Sequence, residues 1–349
     1  MKPKLLIVEL WGVGDLVIAT PFIQAATARY AVTLLAKPFA LDLQPRFWPG
    51  VTVIPFDAPW TVFRHKYYLW KWPYGKMWEI RARIINEHFA IGTSARWDPR
   101  DHLLLKLAEI PRRLGFPRAG SRRLLTAPLT RPTATEHRYE YWRKLAAELG
   151  IDLPSRENLP VPPRTKHGRL IIHSGARLSA RIWPLENYRL LLARLRAAGF
   201  TVDLLCDANQ LAWWRQVGEN AQAPASVTSL IEQLDQADAF IGNCSGPGHL
   251  AAITGLPTFT LFGPSLPEWF LPLHPLADYV EGPACPFRPC SDYCQFAEPR
   301  CLTGLTVDIA WKRLAPFLER AANALRQPPI PPVPPVTQHP ELPPTVLAT

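Results

Sequence analysis

Apolar residues in the first half of the chain form short runs separated by one longer run. Leu5 to Val8, Val32 to Leu35 and Val51 to Ile54 have the length of buried strands, and the Ala-rich stretch Leu16 to Tyr30 suits a helix. Strands that alternate with helices predict a parallel sheet with crossover helices. The first half is therefore predicted to be an α/β domain.

The second half repeats this alternation of short apolar runs and amphipathic stretches. Its predicted strands are residues 169–173, 202–206, 239–241 and 258–262. Its predicted helices are residues 185–198, 211–218, 229–236 and 249–254. The pattern predicts a second doubly wound α/β unit.

Proline-rich segments indicate where the domains begin and end. We interpret residues 154–168, which are polar and rich in proline, as a linker between a first domain, 1–153, and a second domain, 169–326. Residues 327–349 hold 9 prolines in 23 residues and cannot form a core, so we expect a disordered tail with polyproline II character.

Charge is distributed unevenly along the chain. The net charge of +10 lies wholly in residues 1–165, which hold 25 basic and 14 acidic side chains, against 14 and 15 in the remainder. Such a basic half predicts contact with an anionic partner: a phosphorylated or carboxylated acceptor, an acidic lipid surface or nucleic acid.

Composition and the apolar runs indicate the compartment. Apolar residues make up 48% of the 349 residues and charged residues 19%, which suits two ordinary soluble cores. The uncharged stretch Leu16 to Ala28 is 13 residues long, short of the roughly 20 that a spanning helix needs. Glu9 interrupts the N-terminal apolar run before it reaches the length of a signal peptide. We expect a soluble, cytoplasmic protein.

The most informative turn follows the predicted strand 239–241 and precedes a predicted helix. Ser245, Gly246, Pro247 and Gly248 allow backbone N–H groups to approach an anion closely, and the helix directs its positive end at the same point. His249 can donate a further hydrogen bond. A tight turn required only for packing explains the same residues, and both interpretations stay open.

A second loop of this kind follows the predicted strand 169–173. Gly175 and Ala176 are small, and Arg181 precedes a Trp-Pro pair at the start of a helix. A strand end, a small-residue loop and a cation are a common arrangement for holding phosphate. The alternative is a solvated arginine beside a buried Trp183.

The third loop follows the first strand and contains Gly12, Gly14 and Asp15. A dinucleotide fingerprint requires glycine or alanine three residues after the second glycine, where this chain has Val17, so a Rossmann cofactor site is disfavoured. A carboxylate at a helix start suits a general base, and Asp15 is the candidate. Asp15 as a simple helix N-cap is the competing interpretation.

These three segments together resemble glycosyltransferase family 9, the ADP-heptose:lipopolysaccharide heptosyltransferases. The matching stretches are GVGDLVIATP, HSGARLSARIWPLENYRLL and SLIEQLDQADAFIGNCSGPGHLAAITGLPTFTLFGPS, and their order and spacing fit the family over about residues 5 to 320. The resemblance implies a GT-B fold, in which two Rossmann-like domains face each other across a cleft.

The resemblance also implies residue roles for an inverting transfer that requires no metal. Asp15 would deprotonate the acceptor hydroxyl, next to the acceptor-side Gly12 and Gly14, and Arg181 would neutralise charge on the departing ADP. The remaining donor-binding residues would be Gly175, Ala176, Ser245, Gly246, Pro247, Gly248 and His249. The implied donor is ADP-heptose, and the implied acceptor is an anionic lipopolysaccharide core at the inner membrane surface.

Two positions depart from the family pattern. Cys244 stands where the family usually has Asp before the Ser-Gly pair, and a thiol cannot accept a hydrogen bond as a carboxylate does. Glu9 stands where an Arg is frequent. The first departure bears on the nucleotide and the second on the acceptor.

Four of the six cysteines are clustered, and they allow two interpretations. Cys285, Cys290, Cys294 and Cys301 could hold a structural metal ion, since a cytoplasmic protein rarely contains disulfides. Their spacing lacks the paired C-x2-C of common zinc sites, which favours free or redox-variable thiols.

Residues 63–83 interleave six Tyr and Trp side chains with basic residues. Such a segment suits a lipid headgroup surface or the acceptor, and this is the interpretation that the basic first half favours. Stacking on nucleic-acid bases and a loop packed on the sheet are the alternatives.

Other functions remain open on the sequence alone. The same fold and donor could serve a protein or another glycan as acceptor, and a relative without activity could bind a nucleotide or glycan. Nucleic acid is the disfavoured partner, and a dehydrogenase is the weakest alternative because the third glycine is absent.

Overall fold

The computed structural model describes residues 2–62, 68–290 and 293–324, and these residues form two six-stranded parallel sheets. The first sheet has the order β3-β2-β1-β4-β5-β6. Its strands are β1 (Lys4–Glu9), β2 (Ala31–Ala36), β3 (Thr52–Pro55), β4 (Ile91–Ser94), β5 (Arg112–Gly115) and β6 (Ala127–Pro128). We call this sheet and its helices the first lobe. The helices are α1 (Val13–Ala26), α2 (Ala40–Phe47), α3 (Tyr74–Glu87), α4 (Pro99–Leu107) and α5 (Tyr139–Glu148).

The second sheet has the order β12-β11-β10-β7-β8-β9. Its strands are β7 (Arg169–His173), β8 (Thr201–Leu205), β9 (Ala221–Gln222), β10 (Ala239–Asn243), β11 (Thr258–Phe262) and β12 (Asp278–Glu281). This sheet and its helices form the second lobe. The helices are α6 (Leu185–Ala197), α7 (Leu211–Gln216), α8 (Val227–Asp235), α9 (Gly246–Ile253), α10 (Pro267–Phe270), α11 (Arg300–Thr303) and α12 (Val307–Ala324).

The doubly wound α/β architecture predicted from the apolar runs is confirmed. Strands β7 and β11 have the predicted bounds, and β1 and β2 extend the predicted strands by one residue at each end. These strands are central or next to central in their sheets, and nearly every side chain in them is buried. Continuous apolar runs are the pattern of such strands because helices cover both faces of the sheet. The domain boundaries proposed from the prolines stay a prediction, and the tail at 327–349 lies outside the described residues.

The predicted helices differ from the observed ones at their ends, and two of them differ by three residues or more at one end or both. Helix α9 begins at Gly246 rather than at His249, with Ser245 as an extended N-cap and a proline in its first turn. Proline is favoured at the first helical positions because its missing N–H would be unpaired there. Helix α1 ends at Ala26, short of the predicted Tyr30, because the next residues make turn hydrogen bonds such as that from Arg29 N–H to the Ala26 carbonyl.

The two lobes share one apolar core. Helices α1 and α2 of the first lobe contribute side chains such as Phe22 and Leu43, and α8 and α9 of the second lobe contribute Leu234 and Leu250. At the surface Arg46 pairs with Asp235 in a two-bonded ion pair across the lobes. Within the described residues, no helix is long and apolar enough to cross a membrane.

Candidate active site

A cavity of about 560 Å³ lies between the carboxyl ends of the two sheets. This is the edge at which parallel α/β sheets bind ligands, because loops and helix N-termini converge there. Both lobes line it. The lining residues are Trp11, Gly12, Val13, Gly14, Asp15, Phe39 and Arg96 from the first lobe, and His173, Gly175, Ala176, Arg177, Leu178, Arg181, Asp207, Cys244, Ser245, Gly246, Pro247, His249 and Phe270 from the second.

The N-termini of helices α1 and α9 meet at this cavity. A Cβ on Gly14 would lie 2.8 Å from Cδ2 of His249, and a Cβ on Gly246 would lie 3.1 Å from Cγ1 of Val13. Only glycine allows the two backbones to approach this closely. The structure thus brings the predicted loop with Gly12, Gly14 and Asp15 against the predicted turn 245–249. The positive ends of both helices point into the cavity.

Asp15 lies at the third position of α1, and Gly12 is the N-cap. Its Oδ2 accepts the backbone N–H of Gly12 at 3.2 Å, and its Oδ1 pairs with Arg96 Nη1 at 3.2 Å. Asp15 therefore helps to cap the helix without being its N-cap residue. The carboxylate remains partly exposed, at 23% of its side-chain surface, and it lines the cavity.

Arg96 is a site residue that the sequence pattern missed. It follows β4, and its guanidinium carbon lies 4.2 Å from the ring centroid of Trp11, so cation–π contact and the Asp15 ion pair hold it in place. The family pattern places an arginine near Glu9, and this chain supplies a cation to the same region from a different loop. Strand β4, with the sequence IGTS, has no distinct apolar pattern from which the loop could be recognised.

Glu9 is buried at the end of β1 and accepts the N–H of Trp11 at 3.2 Å. Burial, together with the nearby Asp15 carboxylate, raises the pKa of Glu9 to about 8, although Arg96 opposes the shift. At neutral pH the Glu9 carboxyl is mostly protonated. Asp15 lines the cavity, whereas Glu9 does not.

The loop between β7 and α6 is held by Asn243 at the end of β10. Its side-chain Nδ2 donates to the carbonyls of Ser174 at 2.9 Å and Gly175 at 3.2 Å, and its Oδ1 accepts the N–H of Trp183 at 2.9 Å. Trp183 is fully buried, as the alternative interpretation of this loop, a solvated arginine beside a buried tryptophan, requires. Asn243 thus ties the loop that contains Gly175 and Arg181 to the turn that begins at Ser245, and so fixes both at the cavity.

Arg181 ends a short 3-10 turn on this loop and lines the cavity beside Cys244. Burial has the largest effect on the pKa values of Cys244 and His249, and the positive charge of Arg181 lowers both. Burial brings the His249 pKa to about 4, so its imidazole is neutral at pH 7 and can donate one hydrogen bond. Burial raises the pKa of the Cys244 thiol to about 11, which keeps it protonated.

Asp207 is another site residue that the sequence pattern missed. A Cβ on Gly175 would lie 2.4 Å from the Asp207 carboxyl carbon, so the absence of a side chain at Gly175 allows the carboxylate to lie against the loop backbone. Asp207 follows β8, the strand next to β7. In nucleotide-binding α/β folds an acidic residue at this strand end commonly binds a ribose hydroxyl.

The clustered cysteines lie away from the cavity. Cys301 is buried and Cys285, Cys290 and Cys294 are partly exposed, all as free thiols. Burial raises the pKa of the Cys301 and Cys290 thiols, and the neighbouring cysteines add to the effect, so the cluster is spatial as well as sequential. Among the residues that the structure describes, no three His, Cys, Asp or Glu side chains are arranged to hold a metal ion.

Several solved structures share this architecture over nearly the whole chain. A glycosyltransferase family 9 protein from Veillonella parvula is 15% identical, with a TM-score of 0.72 and coverage of 92% of this chain and 98% of that one. The ADP-heptose lipopolysaccharide heptosyltransferase II of E. coli is 18% identical, with a TM-score of 0.68 and coverage of 91% and 99%. E. coli heptosyltransferase WaaC with ADP is 17% identical, with the same TM-score and coverage. No match was found among curated protein sequences.

Two parallel α/β lobes with a cavity between their carboxyl edges define a GT-B fold. A family model described as glycosyltransferase family 9 (heptosyltransferase) matches residues 103–297, more than half of the chain. The protein belongs to glycosyltransferase family 9 and is an enzyme of the glycosyltransferase class.

Proposed function

We propose that the protein transfers a heptose from ADP-heptose to an anionic lipopolysaccharide core, with inversion at the anomeric carbon and without a metal ion. The observation that carries this proposal is the shared cavity, which has Asp15 on one wall and Arg181 with the N-terminus of α9 on the other. A base on one side and an anion site on the other are what a single displacement requires.

The proposed reaction proceeds in one displacement. Asp15 takes the proton of the acceptor hydroxyl, whose oxygen forms a bond to the anomeric carbon while the bond from that carbon to the diphosphate oxygen breaks. ADP leaves with the bonding electrons, and the new bond forms on the opposite face of the sugar. Arg181 and the N–H groups that begin α9 would stabilise the negative charge on the leaving diphosphate.

Arg96 and Gly12 would orient the base. Because Arg96 binds Oδ1 of Asp15 and the Gly12 N–H binds Oδ2, the carboxylate is held in one rotamer at the cavity wall. Arg96 and Arg177 also line the cavity. Positive charge on both walls favours an acceptor that carries carboxylate or phosphate groups.

In the second lobe we assign the donor ribose to Asp207. A carboxylate is missing at Cys244, where the family usually has Asp, and Asp207 offers one on the adjoining loop. The proposal places the reaction in the cytoplasm at the inner membrane, since the proposed acceptor is a glycolipid.

The donor half of the proposal is tested by calorimetry with ADP, UDP and GDP on the wild type and on Arg181→Ala. We expect ADP to bind most tightly, and its affinity to fall about 10- to 100-fold in Arg181→Ala, because a charge-assisted hydrogen bond to phosphate is lost. Arg215→Ala is the matched control, since this exposed arginine lies in the last turn of α7, outside the cavity. Equal ADP affinity in wild type and Arg181→Ala would show that Arg181 has another role.

The catalytic half is tested with Asp15→Asn. We expect kcat for transfer from ADP-heptose to delipidated core oligosaccharide to fall about 10²- to 10⁴-fold while ADP affinity stays within about twofold. Asp42→Asn, which removes a carboxylate from the first turn of α2, should leave both unchanged. Full turnover in Asp15→Asn would exclude Asp15 as the base.

The choice of acceptor is tested with the wild-type protein. Transfer to a polypeptide or another glycan in preference to the core would replace the proposed acceptor. Tight ADP binding without any transfer would indicate a non-catalytic relative.

A further inference from the structure

Large apolar side chains on the first lobe are exposed next to the segment that links β3 to α3. Trp70 is 75% exposed, Trp78 62%, Leu69 52% and Tyr74 49%. We call these four side chains the aromatic patch. They lie within the part of the 63–83 segment that the structure describes, whereas residues 63–67 lie outside it.

Contacts within the segment make these side chains one continuous surface. The Tyr74 hydroxyl donates to the Leu69 carbonyl at 2.9 Å, and the ring of Tyr68 stacks on that of Trp70 with centroids 5.0 Å apart. Tyr74 and Trp78 are four residues apart on α3 and therefore lie on the same face of the helix. The patch thus extends from the turn before α3 along its first two turns.

The aromatic patch does not serve the core of the lobe. Helix α3 packs on the sheet through Ile80 and Ile84, which are buried in the same cluster as Trp60, with Trp72 and Met77 packed against it. The interpretation of residues 63–83 as a loop packed on the sheet therefore fits Trp72 and Met77 and fails for the patch.

Basic side chains border the aromatic patch. The Nζ of Lys71 lies 5.6 Å from the ring centroid of Tyr68, and the guanidinium of Arg81 lies 5.3 Å from that of Trp78. Residues 68–83 carry four basic side chains and one acidic, Glu79, which pairs with Lys76. Exposed rings bordered by lysine and arginine are the arrangement of peripheral membrane surfaces, where rings enter the headgroup boundary and cations meet phosphate.

We propose that the aromatic patch, with Lys71 and Arg81 beside it and the exposed Lys76 and Arg83 elsewhere on α3, docks the enzyme on an anionic lipid bilayer. Leu69 favours this partner over nucleic acid, because an exposed aliphatic side chain gains from acyl chains and nothing from base stacking. The patch follows β3 and so lies at the carboxyl edge of the first sheet, the edge that also forms the cavity. Docking here would bring the acceptor wall of the cavity towards the membrane.

Only the expected benefit of docking, access to a glycolipid acceptor, rests on the proposed function. The test of docking itself requires no substrate. The full chain is mixed with vesicles of phosphatidylcholine alone or with 30% phosphatidylglycerol, as roughly a physiological share of anionic lipid, and bound protein is separated by flotation. We expect binding to the anionic vesicles that weakens as salt rises. In Trp70→Ser/Trp78→Ser the partition coefficient should fall about 10-fold or more.

Two further variants make the test specific. Tyr293→Ser removes a ring that is 69% exposed in the second lobe and should bind as the wild type does. Lys71→Ser/Lys76→Ser/Arg83→Ser should lose the preference for anionic vesicles. Because the substituted side chains are exposed, each variant should keep the unfolding free energy of the wild type within about 0.5 kcal/mol.

The outcomes separate the alternatives. Wild-type protein that stays unbound at low salt, or a double Trp variant that binds vesicles as the wild type does, would overturn the proposal. Binding to single-stranded RNA that needs Trp70 and Trp78, without binding to vesicles, would assign the patch to nucleic acid instead. Transfer to delipidated acceptor should be unaffected in the double Trp variant, so loss of vesicle binding and loss of catalysis are read independently.

Discussion

Two neighbouring carboxyl groups, Glu9 at the end of β1 and Asp15 in the first turn of α1, have different surroundings. Glu9 is buried and Asp15, which contributes to raising the pKa of Glu9, is partly exposed and paired with Arg96. Burial favours the neutral form of a carboxyl, and a nearby cation favours the charged form. Glu9 is therefore mostly protonated at neutral pH, and Asp15 is the member of the pair that lines the cavity.

The raised pKa of Glu9 predicts a stability change with pH. A carboxyl whose pKa is about 8 when folded and near 4.5 when unfolded binds more protons in the folded state between these values, so stability falls as pH rises through this window. We expect Glu9→Gln, which keeps the acceptor for Trp11 N–H, to remove on the order of 3 kcal/mol of this decline between pH 5 and 8.5. Urea unfolding at the two pH values measures it.

A second buried carboxyl group, that of Asp101, contributes to the fall in stability over the same pH range, and Glu9→Gln does not remove it. Burial raises the pKa of Asp101 to about 7, so part of the decline should persist in Glu9→Gln. Glu79→Gln, which changes a side chain that is 70% exposed, should keep the pH dependence of the wild type. Equal slopes in wild type and Glu9→Gln would show that Glu9 is ionised in the folded protein at neutral pH.

The candidate residues that were found from sequence are those on loops with a recognisable strand before them. Asp15, Arg181 and Ser245 follow or precede continuous apolar runs, and all three line the cavity. Arg96 and Asp207 also line it but were missed. Arg96 follows a strand without an apolar pattern. Asp207 can be recognised as a site residue only from its contact with Gly175, and that contact depends on the register of β7 and β8.

At the scale of elements, the site depends on how closely α1 and α9 approach. Gly14 is the second residue of α1, and the ring that its Cβ would meet belongs to His249, which is 95% buried and cannot move aside freely. The N-termini of both helices can therefore approach this closely only because Gly14 has no side chain. This contact also sets the distance between Asp15 and the start of α9.

Replacing Gly14 by Ala should separate the two helices. We expect Gly14→Ala to lower the free energy of unfolding by about 1–3 kcal/mol, since overpacking against a buried ring outweighs the gain in helix propensity. Gly12→Ala is the matched control, because its Cβ would lie 3.5 Å from Asp15 Oδ2, an ordinary contact, and its stability should change by less than about 0.5 kcal/mol. Urea unfolding without substrate compares them. A Gly14→Ala protein as stable as the wild type would mean that the lobes can shift to accommodate the methyl group.

Element boundaries show what sequence patterns lack. Helix α9 was predicted from His249 because the Gly-Pro-Gly before it is typical of turns, whereas proline and glycine also fit the first turn of a helix. Strands β5 and β6 have the sequences RRLG and AP, which carry no strand pattern. They form because β4 offers an edge to β5, and β5 in turn offers one to β6. Such strands are determined by tertiary contact rather than by local preference.

At the scale of the whole molecule, the two lobes are joined by more than the shared core. Arg138, the N-cap residue of α5, contacts aromatic rings of both lobes. Its guanidinium carbon lies 4.5 to 5.5 Å from the ring centroids of Trp97 and Tyr141 in the first lobe and of Trp269 and Phe270 in the second. Its backbone N–H donates to the Trp269 carbonyl at 3.1 Å. The neighbouring His137 is hydrogen-bonded through Nε2 to the Leu271 carbonyl at 2.9 Å.

This shared core predicts that the lobes unfold together. We expect a single urea transition, with the same midpoint by fluorescence and by circular dichroism, because neither lobe can keep α1, α2, α8 and α9 covered without the other. Leu250→Ala, at a fully buried position of α9, should lower the free energy of unfolding by about 2–5 kcal/mol and still give one transition.

ADP provides the decisive comparison for this coupling. At about 100 times its dissociation constant, ADP should raise the free energy of unfolding by about 2.7 kcal/mol, and the whole transition should move although the proposed site lies mainly on the second lobe. Hydrogen exchange should then slow in β1 and β2 as well as in β7 and β10, since all open in the same global event. Two separate transitions, of which only one moves with ADP, would show that the lobes are stable independently, and Leu250 would then support its own lobe alone.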